Sequence, residues 1–515
     1  METPHVLAIP YPAQGHVIPL LELAQCLVRH GFKVTFVNTE FNHKRVMNAS
    51  PENEILTNLV NLVSIPDGLE PWEDRSDLIK LADSISEVMP GKLEELIEKI
   101  NGSDNKKKIT CVIADGSLGW ALEVAVKMGI RRAAFCPAAA AIWALQLSIP
   151  ELIADGIIES YGLGTLVDLL TAAAGELDPV SGNAPDSVRE TASVRKTASS
   201  IRSNPNSSPL LSGRSSKLKY SRTPVNNRMI QLSPSMPLMS TENFPWICFH
   251  DENINKCCFD LWTRNIEAVK FADRLVCNSS YELEAAAFGL FPNFLPIGSL
   301  SASNRLGKSS GHFWPEDSTC LEWLDQQPGH SVIYVAFGSF TVFDQIQFQE
   351  LAMGLELTNR PFLWVVRPDT TKEASDAYLT EFKERVATRG RMIGWAPQDK
   401  VLGHPSVACF LSHCGWNSTI EGISNGIPFL CWPYFADQFF NQSYICDVWK
   451  VGLGFKKDEG GIIRREEIKD KVEQLLANEA LKSRALHLKE VTAKTVQEGG
   501  TSSNNLNNLI KWMKE

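Results

Sequence analysis

SVACFLSHCGWNSTIEG, residues 406–422, is the stretch on which the reading of the fold turns. Its apolar run from Val407 to Leu411 has the look of a buried strand, and a helix-like segment follows within a few residues. The turn between them holds His413, Trp416, Asn417 and Ser418, much polar and aromatic chemistry for one corner. Ser418 and Glu421 have the S-x-x-E spacing of a capping box, which predicts a helix beginning at Ser418. A helix start offers unpaired N–H groups and the positive end of a dipole, and so favours an anion. Taken alone, these residues fit a diphosphate cradle, or a plain capped helix beside a core histidine.

The flanks weigh on that choice. Trp395 and Gln398, in WAPQ, offer an aromatic face and an amide suited to a nucleobase. Asp437 and Gln438, in WPYFADQ, suit sugar hydroxyls, and Glu421 could accept from a ribose in competition with its capping role.

Further out, strands and helices alternate in both halves. In the first, PHVLAIPYP, FKVTFVNTE and KKKITCVIADG read as strands; VIPLLELAQCLVRHG and GWALEVAVKMG read as helices closed by Gly31 and Gly129. In the second, HSVIYVAFGS, PFLWVVRP, RGRMIGWAPQ, SVACFLSH and IPFLCWPY are strands, with helices in DQIQFQELAMGLELTNR and STIEGISNG. This alternation predicts an α/β chain with two doubly wound parallel sheets and a ligand cleft at the carboxyl ends of their strands. The expected divisions are an N-terminal domain over 1–291, a linker over 292–328 rich in Pro, Gly and Ser near its start, a C-terminal domain over 329–485 and a terminal helix within 486–515.

Residues 163–222 break the pattern. They become rich in Ser, Asn, Pro and Arg, and SVRKTASSIRSNPNSSPLLSGRSSKLKYSR within them has little helical or strand period and is locally basic. That composition reads as a disordered insertion; a basic docking segment and translated intron sequence are the alternatives.

At 515 residues the chain can hold two or more cores, and its net charge of −10 argues against a dedicated nucleic-acid partner. METPHVLAIPYP has no basic n-region, and no stretch is long enough to span a bilayer, so a cytoplasmic protein is expected. Twelve cysteines without C-x-x-C pairs, Cys257 and Cys258 adjacent among them, read as free thiols.

Residues 395–438 as a whole resemble the plant secondary product glycosyltransferase signature of plant family 1 UDP-glycosyltransferases, through WAPQ, the HCGWNS core, the glutamate, G-x-P and the final DQ. The resemblance extends along the chain outside 163–222. It implies a GT-B fold, two Rossmann-like domains facing across a cleft, with UDP-glucose as co-substrate, no metal and no other cofactor. It implies that Trp395 stacks on uracil and that Ala396 and Gln398 help hold the nucleoside. Glu421 would bind ribose. Ser339, His413, Asn417 and Ser418 would contact phosphates beside Gly415, and Trp416, Asp437 and Gln438 the sugar. The implied acceptor is a small lipophilic molecule of flavonoid, phenylpropanoid, terpenoid or hormone type, shaped by CPAAAAIWALQLSIPELI and by apolar residues of 78–89, although AAAAIWAL also reads as ordinary helix core. A monomer whose last helix crosses back to the N-terminal domain is implied too.

In the first half, His16 lies where the first strand passes into its helix, and Asp115 ends another strand of that sheet. The helix start should keep His16 neutral, and a carboxylate beside it would fix its tautomer. By resemblance His16 is the base and Asp115 its acidic partner, in a displacement that inverts the anomeric carbon and gives a β-glucoside. Two other readings remain. In a catalytically impaired relative, the insertion would spoil the acceptor half. An NAD-dependent oxidoreductase, suggested by Glu40 after the second strand, is disfavoured because YPAQGH holds one glycine where the dinucleotide fingerprint needs three.

Overall fold

The computed structural model describes residues 3–49, 60–103, 108–158, 228–247, 251–300, 311–370 and 376–515. The chain divides into two compact units, one joining 1–148 to 228–515 and the other covering 149–227. Within the second, the described part holds a short helix, Ile149–Ala154. The segment 163–222, read from sequence as an insertion, lies outside the described residues, as does 301–310 of the expected linker.

The larger unit contains two parallel sheets. The first takes β1 (His5–Ile9), β2 (Lys33–Thr39), β3 (Asn61–Ile65), β4 (Cys111–Asp115) and β5 (Arg131–Cys136). After a two-stranded ladder of β6 (Met229–Ile230) and β7 (Met239–Ser240), the first sheet is completed by β8 (Arg274–Cys277) and β9 (Phe294–Pro296). Its order is β3-β2-β1-β4-β5-β8-β9. The second sheet takes β10 (Val332–Ala336), β11 (Phe362–Val365), β12 (Gly390–Ile393), β13 (Val407–Ser412), β14 (Phe429–Cys431) and β15 (Gly452–Gly454), in the order β12-β11-β10-β13-β14-β15.

Both orders reverse direction once, between β1 and β4 and between β10 and β13. At such a switch point the two connections leave in opposite directions and open a crevice at the strands' carboxyl ends. Register places the chemistry there. Ile9 pairs Ala114, so the loop after β1 and the end of β4 emerge side by side; Ala336 pairs Ser412, which does the same for the loops after β10 and β13.

β1 and β4 are buried at every position, as strands covered on both faces must be. The helix Gln14–Arg29 closes with Gly31 at φ 85°, a left-handed position that glycine adopts without strain. One core of this sheet draws in the chain's far end. Leu506 and Leu509, on the last helix Thr501–Lys514, are buried among residues of β1, β2 and the first helix. Burying such side chains contributes about 1.5–3 kcal/mol each, enough to hold the helix there.

Candidate active site

His16 and Asp115 meet at the first switch point. The His16 Nδ1 lies 2.7 Å from Asp115 Oδ2, and the other carboxylate oxygen accepts the Ser117 N–H at 2.9 Å. Asp115 is fully buried, while the His16 side chain keeps 30% exposure and lines the cavity. The carboxylate engages Nδ1, which leaves Nε2 as the nitrogen available to a substrate. Burial pushes the His16 pKa down, but the charge and hydrogen bond of Asp115, joined by the charge of Asp437, outweigh it and the net direction is up. The helix start, which favours the neutral ring, is thus opposed at His16 by the carboxylate of Asp115. A buried carboxylate in contact outweighs the partial charge of a helix terminus.

The loops after β10 and β13 form the facing wall. His413 is wedged between two glycines: a methyl group at Gly338 would stand 2.5 Å from its Nε2, and one at Gly415 would stand 2.4 Å away. Gly338 has φ 66°, so glycine suits that position twice over. Arg367, 3% exposed, braces this loop by donating to the carbonyls of Gly338 and, at 2.9 Å, Thr341. Burial, and next the charge of Arg367, push the His413 pKa down to about 4 against an opposing backbone hydrogen bond at Ala336. His413 therefore faces the cavity as a neutral ring. Ser339 lines the cavity in the same loop.

The helix after β13 runs from Trp416 to Asn425 with Gly415 as its N-cap and no side chain capping it. Ser418 and Glu421 do not form the expected capping box. The Gln398 Nε2 donates to Ser418 Oγ at 2.8 Å and to Glu421 Oε2 at 2.7 Å, and its Oε1 accepts from the Tyr334 hydroxyl at 3.1 Å. A tertiary partner thus takes both side chains away from the local cap. The physical result favours anion binding more than a capping box would, because the first-turn N–H groups keep no side-chain acceptor. Burial raises the Glu421 pKa to about 7.

The sugar end of the predicted set also comes together. Asp437 Oδ2 accepts from Asn441 Nδ2 at 2.8 Å, and Gln438 Oε1 accepts the N–H groups of Tyr434 at 2.8 Å and Phe435 at 3.1 Å. Trp416 and Asn417 reach across to the other sheet's loops: the Trp416 indole N–H donates to the Asn278 carbonyl at 2.8 Å, and Asn417 Nδ2 donates to the Gly15 carbonyl at 2.8 Å. Trp395 and Ala396 line the cavity. The structure therefore gathers the residues that the glycosyltransferase resemblance singled out around one cavity of about 590 Å³, except Asp115, which stands buried behind His16.

On the His16 side the cavity is lined by Tyr11, Leu78, Ile79, Ile142, Trp143 and Trp262, among others. AAAAIWAL is both things that its sequence allowed, since Ala140, Ala141 and Ala144 are buried core while Ile142 and Trp143 face the cavity. Tyr334, Arg367 and Asn441 escaped the sequence reading. Of the three, Arg367 had a signal: a charge directly after the apolar strand WVV. Among the described residues, no group of three or more His, Cys, Asp or Glu side chains is placed to hold a metal ion, and no helix is long and apolar enough to cross a membrane.

This geometry, two Rossmann-like sheets whose switch points line one cavity, is the α/β arrangement in which nucleotide-type ligands are bound. Comparison with known proteins makes it specific. The UDP-glucoronosyl and UDP-glucosyl transferase family matches residues 279–495. The chain is 44% identical to UDP-glycosyltransferase 83A1 of Arabidopsis thaliana, over 100% of this chain and 97% of that one. It is 32% identical to linamarin synthase 1 of Manihot esculenta, over 99% and 96%. The crystal structure of Os79 from O. sativa in complex with UDP superposes with a TM-score of 0.73 at 23% identity, covering 99% of this chain and 100% of that one. The chain belongs to the UDP-glycosyltransferases, in plant family 1, and its fold is GT-B.

Proposed function

We propose that this UDP-glycosyltransferase moves glucose from UDP-glucose to a hydroxyl of a small lipophilic acceptor, inverts the anomeric carbon and releases a β-glucoside and UDP. The observation that carries the reading is the His16–Asp115 pair, which faces the His413 loop across one cavity. His16 Nε2 takes the proton from the acceptor hydroxyl, and the oxygen attacks the anomeric carbon from the face opposite UDP. The C–O bond to the β-phosphate breaks and its electrons leave with UDP. Asp115 stabilises the imidazolium that forms.

Charge growing on the departing phosphate meets the uncapped helix start at Trp416, the neutral His413 ring, Asn417, Ser418 and Ser339, with buried Arg367 behind them. Trp395 and Ala396 take the base. Glu421, held by Gln398, accepts from ribose. Gln398 acts as the brace of Ser418 and Glu421, since both ends of its amide are engaged. Asp437 and Gln438 take the sugar hydroxyls. The acceptor wall is apolar and aromatic, which suits a flavonoid-, phenylpropanoid-, terpenoid- or hormone-like molecule. We place the enzyme in the cytoplasm as a monomer that works without a metal.

The test is an incubation of purified protein with UDP-glucose and a panel of phenolic and terpenoid alcohols, with the anomeric configuration of the product read by proton NMR. A β-glucoside formed equally well in a chelator is expected. An α-product, or activity restored only by a divalent cation, would overturn the scheme. His16→Ala should lose about 10²–10⁴-fold in rate while still binding UDP.

A further inference from the structure

We infer that Glu284, remote in sequence from both halves of the site, is a positioning residue for the acceptor: its carboxylate fixes the start of the helix Ala140–Leu147 and so sets where Trp143 stands beside the His16–Asp115 pair. The inference rests on the reading above, in which that pair faces the acceptor.

Glu284 is 1% exposed and takes three donors. The Ala140 N–H gives to Oε2 at 2.9 Å, the Ala141 N–H to Oε1 at 2.9 Å, and the Ser279 hydroxyl to Oε2 at 2.5 Å. The helix Ala140–Leu147 has no side chain of its own capping it. Its two leading N–H groups are satisfied by a carboxylate from 143 residues away or more, where a local cap would ordinarily serve. Glu284 itself stands at a kink within Tyr281–Leu290, with non-helical φ −132° and ψ 39°. A negative group at a helix start is the favourable placement. Glu284 does not line the cavity, and it caps a helix that does.

From that helix the contacts lead to the base. Trp143 lines the cavity, and its ring lies so close over Gly116 that a methyl group there would stand 2.2 Å from Cζ2. Gly116 follows Asp115, whose carboxylate holds His16. Glu284 therefore determines how Trp143 covers the turn carrying the dyad. On the other side, the carbonyl of Leu283 accepts the Trp449 indole N–H at 3.0 Å, and the carbonyl of Asn278 accepts that of Trp416. The segment 278–284 thus stands between the donor loop and the acceptor wall.

The experiment compares wild type with Glu284→Gln and Glu284→Ala, reading acceptor KM, kcat, UDP affinity by calorimetry and melting temperature. The amide keeps the shape of the carboxylate but sets an N–H₂ against one of its donors. We expect acceptor kcat/KM to fall about 10–100-fold, chiefly through KM, with UDP affinity unchanged. Discrimination between a flat phenol and a bulky terpenoid alcohol should change as well, because Trp143 is released. Should the alanine variant fail to fold, the glutamine variant carries the test. A lower melting temperature with unchanged acceptor KM and selectivity would make Glu284 merely structural, and a parallel loss of UDP affinity would deny it a role specific to the acceptor. If the wild type prefers another UDP-sugar, that sugar serves as donor, so failure of the glucose assignment is distinguishable from failure of this one.

Discussion

The side-chain amide of Asn417 donates to the carbonyl of Gly15, and Pro19 accounts for that carbonyl's availability. Pro19 sits inside the helix Gln14–Arg29, four residues beyond Gly15, and has no N–H to give it. A missing intrahelical bond beside the first sheet is thus used by Asn417, from the loop after β13, which we propose contacts the phosphates. Asn417→Ala should cost up to about tenfold in UDP affinity, the scale of one partly exposed hydrogen bond. Asn417→Asp should cost more, because a carboxylate would face both the Gly15 carbonyl and the diphosphate. Titration calorimetry with UDP distinguishes the two, and equal, wild-type affinity in both variants would remove Asn417 from the phosphate site.

The His16–Asp115 contact carries a pH consequence whose sign is fixed. Asp115 raises the folded pKa of His16, and in the proposed role as base the ring works only when neutral. Activity should therefore be lost, as pH falls, on an acid limb displaced upward from the ordinary imidazole value. In Asp115→Asn the charge that raises the pKa is gone while burial remains. The limb should move to lower pH even as kcat falls by about 10²-fold or more. A kcat/KM profile whose acid limb stays in place in that variant would show that Asp115 does not govern His16.

His413 offers a steric prediction. The N-cap Gly415 has φ −60° and ψ 145°, a backbone that alanine adopts freely, so Gly415→Ala should be free of backbone strain. The new methyl group would meet His413 Nε2 at 2.4 Å, with Gly338 leaving the ring no retreat. Overpacking of this kind costs about 1–3 kcal/mol. If the displaced ring contacts the phosphates as proposed, the loss should appear in UDP affinity before it appears in melting temperature.

How far the sequence could be read follows from what each feature depends on. Apolar runs bounded by glycines are local, so β1, β4, β10 and β13 and their helices were legible, with Gly31 and Gly129 as stops in the left-handed region. His16 and Asp115 were legible as strand-end residues of one sheet. β3 was harder to see, since NLVSI is half exposed and lacks a buried run. The capping box misled because S-x-x-E spacing is local whereas the partner that claims both side chains, Gln398, arrives from a different loop. Glu284 was invisible for the same reason, as the helix it caps lies far away in the chain.

Gln438 yields a prediction that the sequence alone could not. Its Oε1 is committed to the N–H groups of Tyr434 and Phe435, so its side chain can offer the cavity only the donor end of the amide. A sugar hydroxyl held there must accept. Gln438→Glu keeps an oxygen for the two backbone N–H groups and replaces the N–H₂ with a second, negative oxygen. The loop should hold its shape while the contact to the sugar is lost, raising the KM for UDP-glucose about tenfold with UDP affinity unchanged. Steady-state kinetics in the donor, paired with UDP calorimetry, decide it. If KM stays at the wild-type value, the sugar is read elsewhere, and Asp437, oriented by Asn441 through its Oδ2, becomes the residue to vary.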